Sequence, residues 1–187
     1  MVKRLFDIVA SGCGLLVLSP LFVVLAIWIK LDSKGPVFFK QKRVGIHKTH
    51  FSLYKFRSMK ENSEGGQAKL AVSDDDRLTK IGRTIRRFKL DELPQLINIL
   101  KGDISIVGPR PIVEKETEIY GKEISKLLSV KPGLTGYWQA YARNNATYES
   151  GERQKMEMYY VENKSLWLDF KILCKTFTSV LKREGAQ

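Results

Sequence analysis

The sequence predicts an α+β domain of short strands and amphipathic helices, preceded by an apolar segment able to enter a membrane. Three observations predict it. Ile8 to Ile29 is a run of 22 residues without a charge. Short aromatic and β-branched runs bounded by turn residues alternate with stretches of helical periodicity. The 187 residues suffice for one domain with a sizeable core. The expected division is a re-entrant membrane hairpin over residues 1–33 and a folded domain over 34–187.

The apolar run comes first. As one straight helix it would be about 33 Å long, enough to cross a bilayer. A cleaved signal peptide fits poorly, because no small-residue cleavage site follows Pro20 before Lys30. Ser19-Pro20 falls mid-run, and proline removes a helical hydrogen bond, so a kink or break is expected there. Both flanks are basic, with Lys3 and Arg4 before and Lys30, Lys34, Lys40, Lys42 and Arg43 after. Basic flanks favour the cytoplasmic side. A hairpin that enters, turns at Ser19-Pro20 and returns satisfies both flanks. A kinked spanning helix and a buried core helix are the alternatives. Asp7 and Asp32 are expected at the interface.

The remaining elements follow in order. Residues 35–59 read as a β-hairpin, with strand-like Val37-Phe38-Phe39 and Phe51 to Phe56 around a turn at Gly45–Thr49. Residues 60–75 are polar and read as a loop. Residues 77–88 read as a helix with Ile81, Ile85 and Phe88 inward and Arg77, Lys80, Arg83 and Arg87 outward. A second helix over 92–100 has Leu93, Leu96, Ile97 and Leu100 as its apolar face. Gly102–Pro111 reads as a turn, a short strand and a tight loop. Residues 112–128 look helical, Lys131–Gly136 is a turn, Tyr137–Ala140 a strand and 148–162 a helix. From Ser165 to Arg183, Leu166, Phe170, Leu173 and Phe177 recur at helical spacing among lysines, with Trp167 nearby. That pattern suits either an interfacial helix or an ordinary surface helix packed on the core.

The net charge of +12 and pI near 9.7 favour an anionic partner: nucleic acid, an anionic membrane or phosphorylated substrates. Cys13 and Cys174 lie far apart in apolar stretches, read as small buried or lipid-facing residues, and nothing argues for an oxidising compartment. His47 and His50 have an HxxH spacing but no further ligands nearby in sequence.

The densest chemistry lies at Lys89-Leu90-Asp91-Glu92-Leu93-Pro94, between Arg86-Arg87 and Gly108-Pro109-Arg110-Pro111. A carboxylate that attacks phosphorus needs cations to hold the phosphate and to keep the carboxylate ionised. Adjacent carboxylates on a helix point about 100° apart, so Asp91 and Glu92 can do different jobs: one facing phosphorus, the other holding a metal ion on phosphate oxygens. A helix start there would add amide donors for phosphate. The bland alternative makes Asp91 the helix N-cap, with Pro94 in the tolerated first turn. Arginine is the better fork for phosphate oxygens.

The apolar run with Ser19-Pro20, Tyr54-Lys55-Phe56-Arg57-Ser58-Met59, the block Leu90 to Pro111, and Pro132-Gly133-Leu134-Thr135-Gly136 with Gln139 together resemble the small monotopic phosphoglycosyl transferases of the bacterial sugar transferase family. The resemblance covers nearly the whole chain, and the long block is its specific part. It implies transfer of a sugar 1-phosphate from a UDP-sugar to polyprenyl (undecaprenyl) phosphate, with UMP as by-product, on the cytoplasmic face of the bacterial inner membrane. It implies Asp91 as nucleophile, Glu92 as a ligand of Mg²⁺, and Lys55, Arg86 and Arg110 on phosphate groups. Arg143 would contact the nucleotide. Glu157 stands where relatives carry aspartate, which leaves its role among the substrate-binding residues open. The resemblance also implies that Ser19-Pro20 makes a re-entrant hairpin, and that this chain is the minimal form without the extra N-terminal membrane helices of longer relatives.

Two other functions compete. A nucleic-acid binder would explain the charge and Phe51, Tyr54 and Phe56 among cations, but has no use for the uncharged run. A non-catalytic membrane scaffold leaves Asp91-Glu92 and its arginines unexplained. The residues leave open which sugar is carried, which glycan is served and whether the chain pairs as a homodimer.

Overall fold

The computed structural model of the chain describes residues 1–60, 76–142 and 146–181, the side chains of Val180 and Leu181 excepted. The loop expected over 60–75 falls almost wholly outside the described residues. Helices and two small two-stranded sheets make up the fold, as an α+β class requires.

Helix α1 spans Val2–Asp32 and continues through Pro20. The break expected at Ser19-Pro20 is therefore corrected: the segment is helical throughout. Pro20 has no N–H for the Leu16 carbonyl, and the Ser19 hydroxyl donates to that carbonyl at 2.8 Å instead. The freed acceptor is satisfied inside the segment, as an apolar surrounding demands. Only 11% of the most apolar 18-residue window of α1 is buried, which excludes the core-helix alternative.

Both ends of α1 are fastened to the rest of the chain. Near its start, Lys3 Nζ donates to Asp169 at 2.5 Å and to the Tyr160 hydroxyl at 2.9 Å. Arg4 donates to the carbonyls of Ile99 and Leu100. Asp7 does not sit at an interface as expected. It is 3% exposed and accepts from Ser105 Oγ at 2.8 Å and the Ile106 N–H at 3.0 Å. At the other end, Leu25 and Ile29 pack with Phe56 and Ile85, and Asp32 accepts from the Ile81 N–H at 3.1 Å.

Strands β1 (Phe38–Val44) and β2 (His50–Phe56) pair antiparallel in register from Phe38↔Phe56 to Val44↔His50. The turn lies where the sequence predicts, and β1 runs five residues further than expected. Helix α2 (Lys80–Arg87) starts at Thr79, whose side chain accepts from the Gly82 N–H at 2.9 Å. Ile85 is buried as predicted, but Phe88 is half exposed. Phe88 lies past the last helical residue, where helical periodicity no longer directs its side chain.

Helix α3 (Gln95–Lys101) buries Gln95, Asn98 and Ile99, while of the predicted face Leu93 and Leu96 pack part-buried against the core and Leu100 is exposed. The reason is Asn98. Its side-chain oxygen accepts from the Tyr54 N–H at 2.9 Å, and its amide donates to the Ser52 carbonyl at 2.8 Å and to Asp103 at 2.9 Å. These bonds turn a polar face of α3 onto β2.

Strands β3 (Ser105–Val107) and β4 (Gly133–Thr135) pair parallel, a pairing the sequence did not suggest. A Cβ on Gly133 would stand 2.1 Å from the Gly108 nitrogen, so the Gly108-Pro109 and Pro132-Gly133 segments press backbone to backbone. The Gly133 N–H donates to the Pro109 carbonyl at 2.8 Å. Between them, the helix expected over 112–128 is divided into short turns: 3₁₀ turns at Glu114–Glu116 and Gly121–Glu123, and the α-helical turns α4 (Thr117–Tyr120) and α5 (Ile124–Leu127). Gly121 with φ +49 separates α4 from α5. The strand expected at Tyr137–Ala140 is instead helix α6 (Tyr137–Tyr141). The Ala140 N–H donates to the Gly136 carbonyl and the Ala142 N–H to the Trp138 carbonyl, each at 3.0 Å, so local helical bonds take the donors a strand would use.

Helices α7 (Glu152–Asn163) and α8 (Leu166–Leu181) complete the fold. Helix α8 buries Ile172 and Asp169, and leaves Leu166, Trp167, Phe170 and Phe177 between 54% and 66% exposed. Its Leu168, Ile172 and Leu173 pack with Val107 and Tyr160, so one face of α8 lies on the core while the face of Leu166, Trp167, Phe170 and Phe177 is left uncovered. Cys13 and Cys174 are free and exposed on α1 and α8.

Candidate active site

Lys89, with φ +56, turns the chain sharply out of α2, and Leu90–Glu92 form one turn of 3₁₀ helix. Asp91 is therefore not at the start of α3. Pro94 precedes that helix, without a side-chain cap. Both the N-cap reading of Asp91 and the helix-dipole argument give way to this geometry.

Asp91 is buried. Burial pushes its carboxyl above the usual range, Glu92 pushes the same way, and Lys55 and Arg86 pull it back. Lys55 and Arg86 thus act on this carboxyl as the sequence reading expects, with burial acting against them. Lys55 Nζ, from β2, lies 2.9 Å from Glu92 Oε1. Arg86, from the last turn of α2, donates through Nε to Ser58 Oγ at 2.8 Å. Four of the expected residues are thus brought together from three segments.

Lys55, Lys89, Glu92, Arg43 and Arg110 form the charged wall of a cavity of about 310 Å³. Leu53, Leu96, Ile106 and Leu134 form an apolar wall, while Gln95, Thr135 and Gln139 supply polar groups. Gln139 Oε1 is buried without a hydrogen-bond partner. Asp91, Arg86 and Glu157 do not line this space.

Arg110 reaches the cavity on the loop after β3. Its N–H donates to both oxygens of Glu157 at 3.3 and 3.2 Å. Glu157, on α7, is 1% exposed, so its carboxylate touches Arg110 rather than the cavity. Burial pushes its carboxyl up to about 7, against the pull of Arg153 and the Arg110 N–H. Arg153 lies over the Trp138 ring at 4.1 Å and the Tyr148 ring at 3.7 Å, and closes the same buried cluster.

Arg143 lies outside the described residues. His50 Nε2 lies 2.7 Å from Glu114 Oε2, and no group of three or more metal-ligating side chains occurs among the described residues. Glu92, on the cavity wall, could hold Mg²⁺, which takes one or two carboxylates and completes its shell with waters and substrate phosphates. Sequence reasoning missed Arg43, Gln95 and Asn98. Arg43 is buried and donates to the Pro111 carbonyl at 2.9 Å. Nothing in the sequence distinguished it from the other cations of β1.

Comparison with known proteins bears on this site. The family model described as bacterial sugar transferase matches residues 1–183. The chain is 44% identical over 201 residues to an undecaprenyl-phosphate galactose phosphotransferase of Salmonella typhimurium, covering 99% of this chain and 41% of that protein. It is 42% identical over 189 residues to the uncharacterized sugar transferase EpsL of Bacillus subtilis, covering all of this chain and 91% of that protein. A UDP-N-acetylgalactosamine-undecaprenyl-phosphate N-acetylgalactosaminephosphotransferase of Aeromonas hydrophila is 41% identical over 191 residues, covering 45% of its length. The chain thus spans less than half of two of these relatives and nearly all of the third.

Proposed function

The chain belongs to the bacterial sugar transferase family, and from that premise we propose that it transfers a sugar 1-phosphate from a UDP-sugar to polyprenyl phosphate. The observation that carries this reading is the Asp91-Glu92 pair set with Lys55 and Arg86 beside a cavity that is cationic on one wall and apolar on the other. A diphosphate donor and a lipid phosphate both need such a surface. The names of the Salmonella and Aeromonas relatives point the same way.

In this reading a carboxylate oxygen of Asp91 attacks the sugar-linked phosphorus. The bond from that phosphorus to the bridging oxygen breaks, and UMP leaves with the electron pair. A phosphosugar stays on Asp91 as an acyl phosphate. A polyprenyl phosphate oxygen then attacks the same phosphorus and releases the Asp91 carboxylate, giving polyprenyl diphosphate sugar. Two in-line displacements replace one reaction between two polyanions. Lys55, Arg86 and Arg110 neutralise the phosphates. Donor phosphates that draw Lys55 away from Glu92 would free Glu92. Glu92 would hold Mg²⁺, which supplies charge neutralisation on phosphate oxygens when bound. Arg143 would meet the nucleotide, and Glu157 would act by holding Arg110.

The membrane part of the proposal is that α1, continuous through Pro20 and bent there rather than broken, dips into the membrane and returns over residues 1–33, with the catalytic domain, 34–187, on the cytoplasmic face of the inner membrane. Both ends of α1 bind the same domain, whereas a spanning helix would carry one end across the bilayer. The exposed stripe of α8 supports contact with lipid beside it. Protein in nanodiscs with Mg²⁺ and a panel of UDP-sugars should release UMP with one donor, only when polyprenyl phosphate is present in multiple-turnover conditions. No release with any donor would overturn the reading.

A further inference from the structure

Away from the catalytic cavity, two connected spaces flank the first turns of α1. One, of about 470 Å³, is lined by Arg4, Lys131 and Lys164. The other, of about 230 Å³, is an apolar cleft between α1 and α8, walled by Val2, Phe6, Leu166 and Phe170. Lys3, Asp7, Leu166 and Asp169 line both, so the spaces adjoin.

The charges in the larger space are unbalanced. Its carboxylates are already engaged: Asp7 by Ser105 and Ile106, and Asp169 by Lys3 and Tyr160. Arg4 is fixed by two carbonyls, and Lys131 and Lys164 have no carboxylate partner among the described residues. Arg4 Nη2 and Lys131 Nζ both crowd one point over Gly102, at 3.2 and 3.4 Å from where a Cβ would stand. Two cations held side by side without a counter-ion make a seat for an anion. The adjoining cleft keeps four large apolar side chains more than half exposed, beside a helix whose apolar surface faces outward. An anion seat next to an apolar slot at a membrane-facing helix matches one ligand chemistry, a phosphate joined to a hydrocarbon chain.

We propose that this pair of spaces binds one anionic membrane phospholipid, its phosphate between Arg4 and Lys131 and one acyl chain in the α1–α8 cleft. The site is separate from the Asp91 cavity, and it concerns retention of lipid rather than sugar transfer. The lipid would fasten the start of α1 to α8.

The test is native mass spectrometry of protein released from nanodiscs containing phosphatidylglycerol and phosphatidylcholine. The wild type should retain one phosphatidylglycerol. Lys131→Ala/Lys164→Ala should retain it about thirty-fold more weakly, as expected for two interfacial cations. Lys122→Ala/Lys155→Ala removes the same charge from exposed positions elsewhere and should retain the lipid like the wild type. Phe6→Ser/Phe170→Ser should lose it while the lysines remain. Equal loss in both lysine pairs would mean a general attraction of a basic protein to anionic lipid, and would overturn the proposal. Displacement of the lipid by millimolar inorganic phosphate would reduce the site to a simple anion seat. With polyprenyl phosphate added to the nanodiscs, its preferential retention would assign the site to the acceptor and overturn the proposal. No lipid on the wild type would also overturn it. None of these readouts depends on transferase activity.

Discussion

Glu157 offers a prediction whose size follows from the structure. Its carboxyl is fully enclosed on α7, and burial raises it to about 7 from an ordinary 4.5. Between those values the folded chain binds a proton that the unfolded chain has released. Stability contributed by this group is therefore complete below the unfolded value and is lost as pH rises through the folded one. One pKa unit corresponds to about 1.4 kcal/mol, so most of the change, about 2.5 kcal/mol, falls between pH 5 and 8. Glu157→Gln keeps an acceptor for the Arg110 N–H and cannot ionise. For a chain of this length, about 2.5 kcal/mol moves the midpoint by roughly 5–10 °C. Thermal unfolding followed by circular dichroism in detergent should show the wild-type Tm falling by that much relative to Glu157→Gln between pH 5 and 8. Groups common to both proteins cancel in the comparison. Parallel Tm profiles would refute the argument that a proton sits on this buried carboxyl.

Three further outcomes are expected. Asn98→Ala leaves the Tyr54 N–H and the Ser52 carbonyl without their side-chain partner, and should cost roughly 1–3 kcal/mol in chemical denaturation. Gly82→Ala places a Cβ 1.9 Å from the Ser58 carbonyl oxygen. It should cost at least roughly 1–3 kcal/mol and lower activity by shifting Arg86, measured as a fall in kcat that Gly82→Ser does not relieve. Lys55→Met removes one partner of Glu92 and one cation that lowers the Asp91 carboxyl. The pH–rate profile should lose its plateau at the acidic side and rise only at higher pH.

Much of the fold was legible because it rests on local rules. The hairpin around Gly45–Thr49 and the helices holding Ile85 and Ile172 follow from turn residues and periodicity. The helix through Pro20 was not legible. Its continuity depends on one serine hydroxyl finding the carbonyl that proline frees. Nor was the β3–β4 pairing, which joins segments far apart in sequence through two glycine backbones. At the site, the motif residues Lys55, Arg86, Asp91 and Glu92 were legible as chemistry. Their burial was not, and burial is what raises the Asp91 carboxyl. Arg43 and Asn98 matter through contacts with the Pro111 carbonyl and the β2 backbone, which no sequence spacing encodes.

The central claim is that Asp91 takes the phosphosugar onto its own carboxylate. The direct measurement is intact-mass spectrometry of the protein after brief exposure to Mg²⁺ and the accepted UDP-sugar, without polyprenyl phosphate. The account predicts a mass gain of one sugar phosphate that disappears when polyprenyl phosphate is added and never forms on Asp91→Asn. A wild type that turns over donor and acceptor with no adduct, or an Asp91→Asn variant that still forms one, would contradict it.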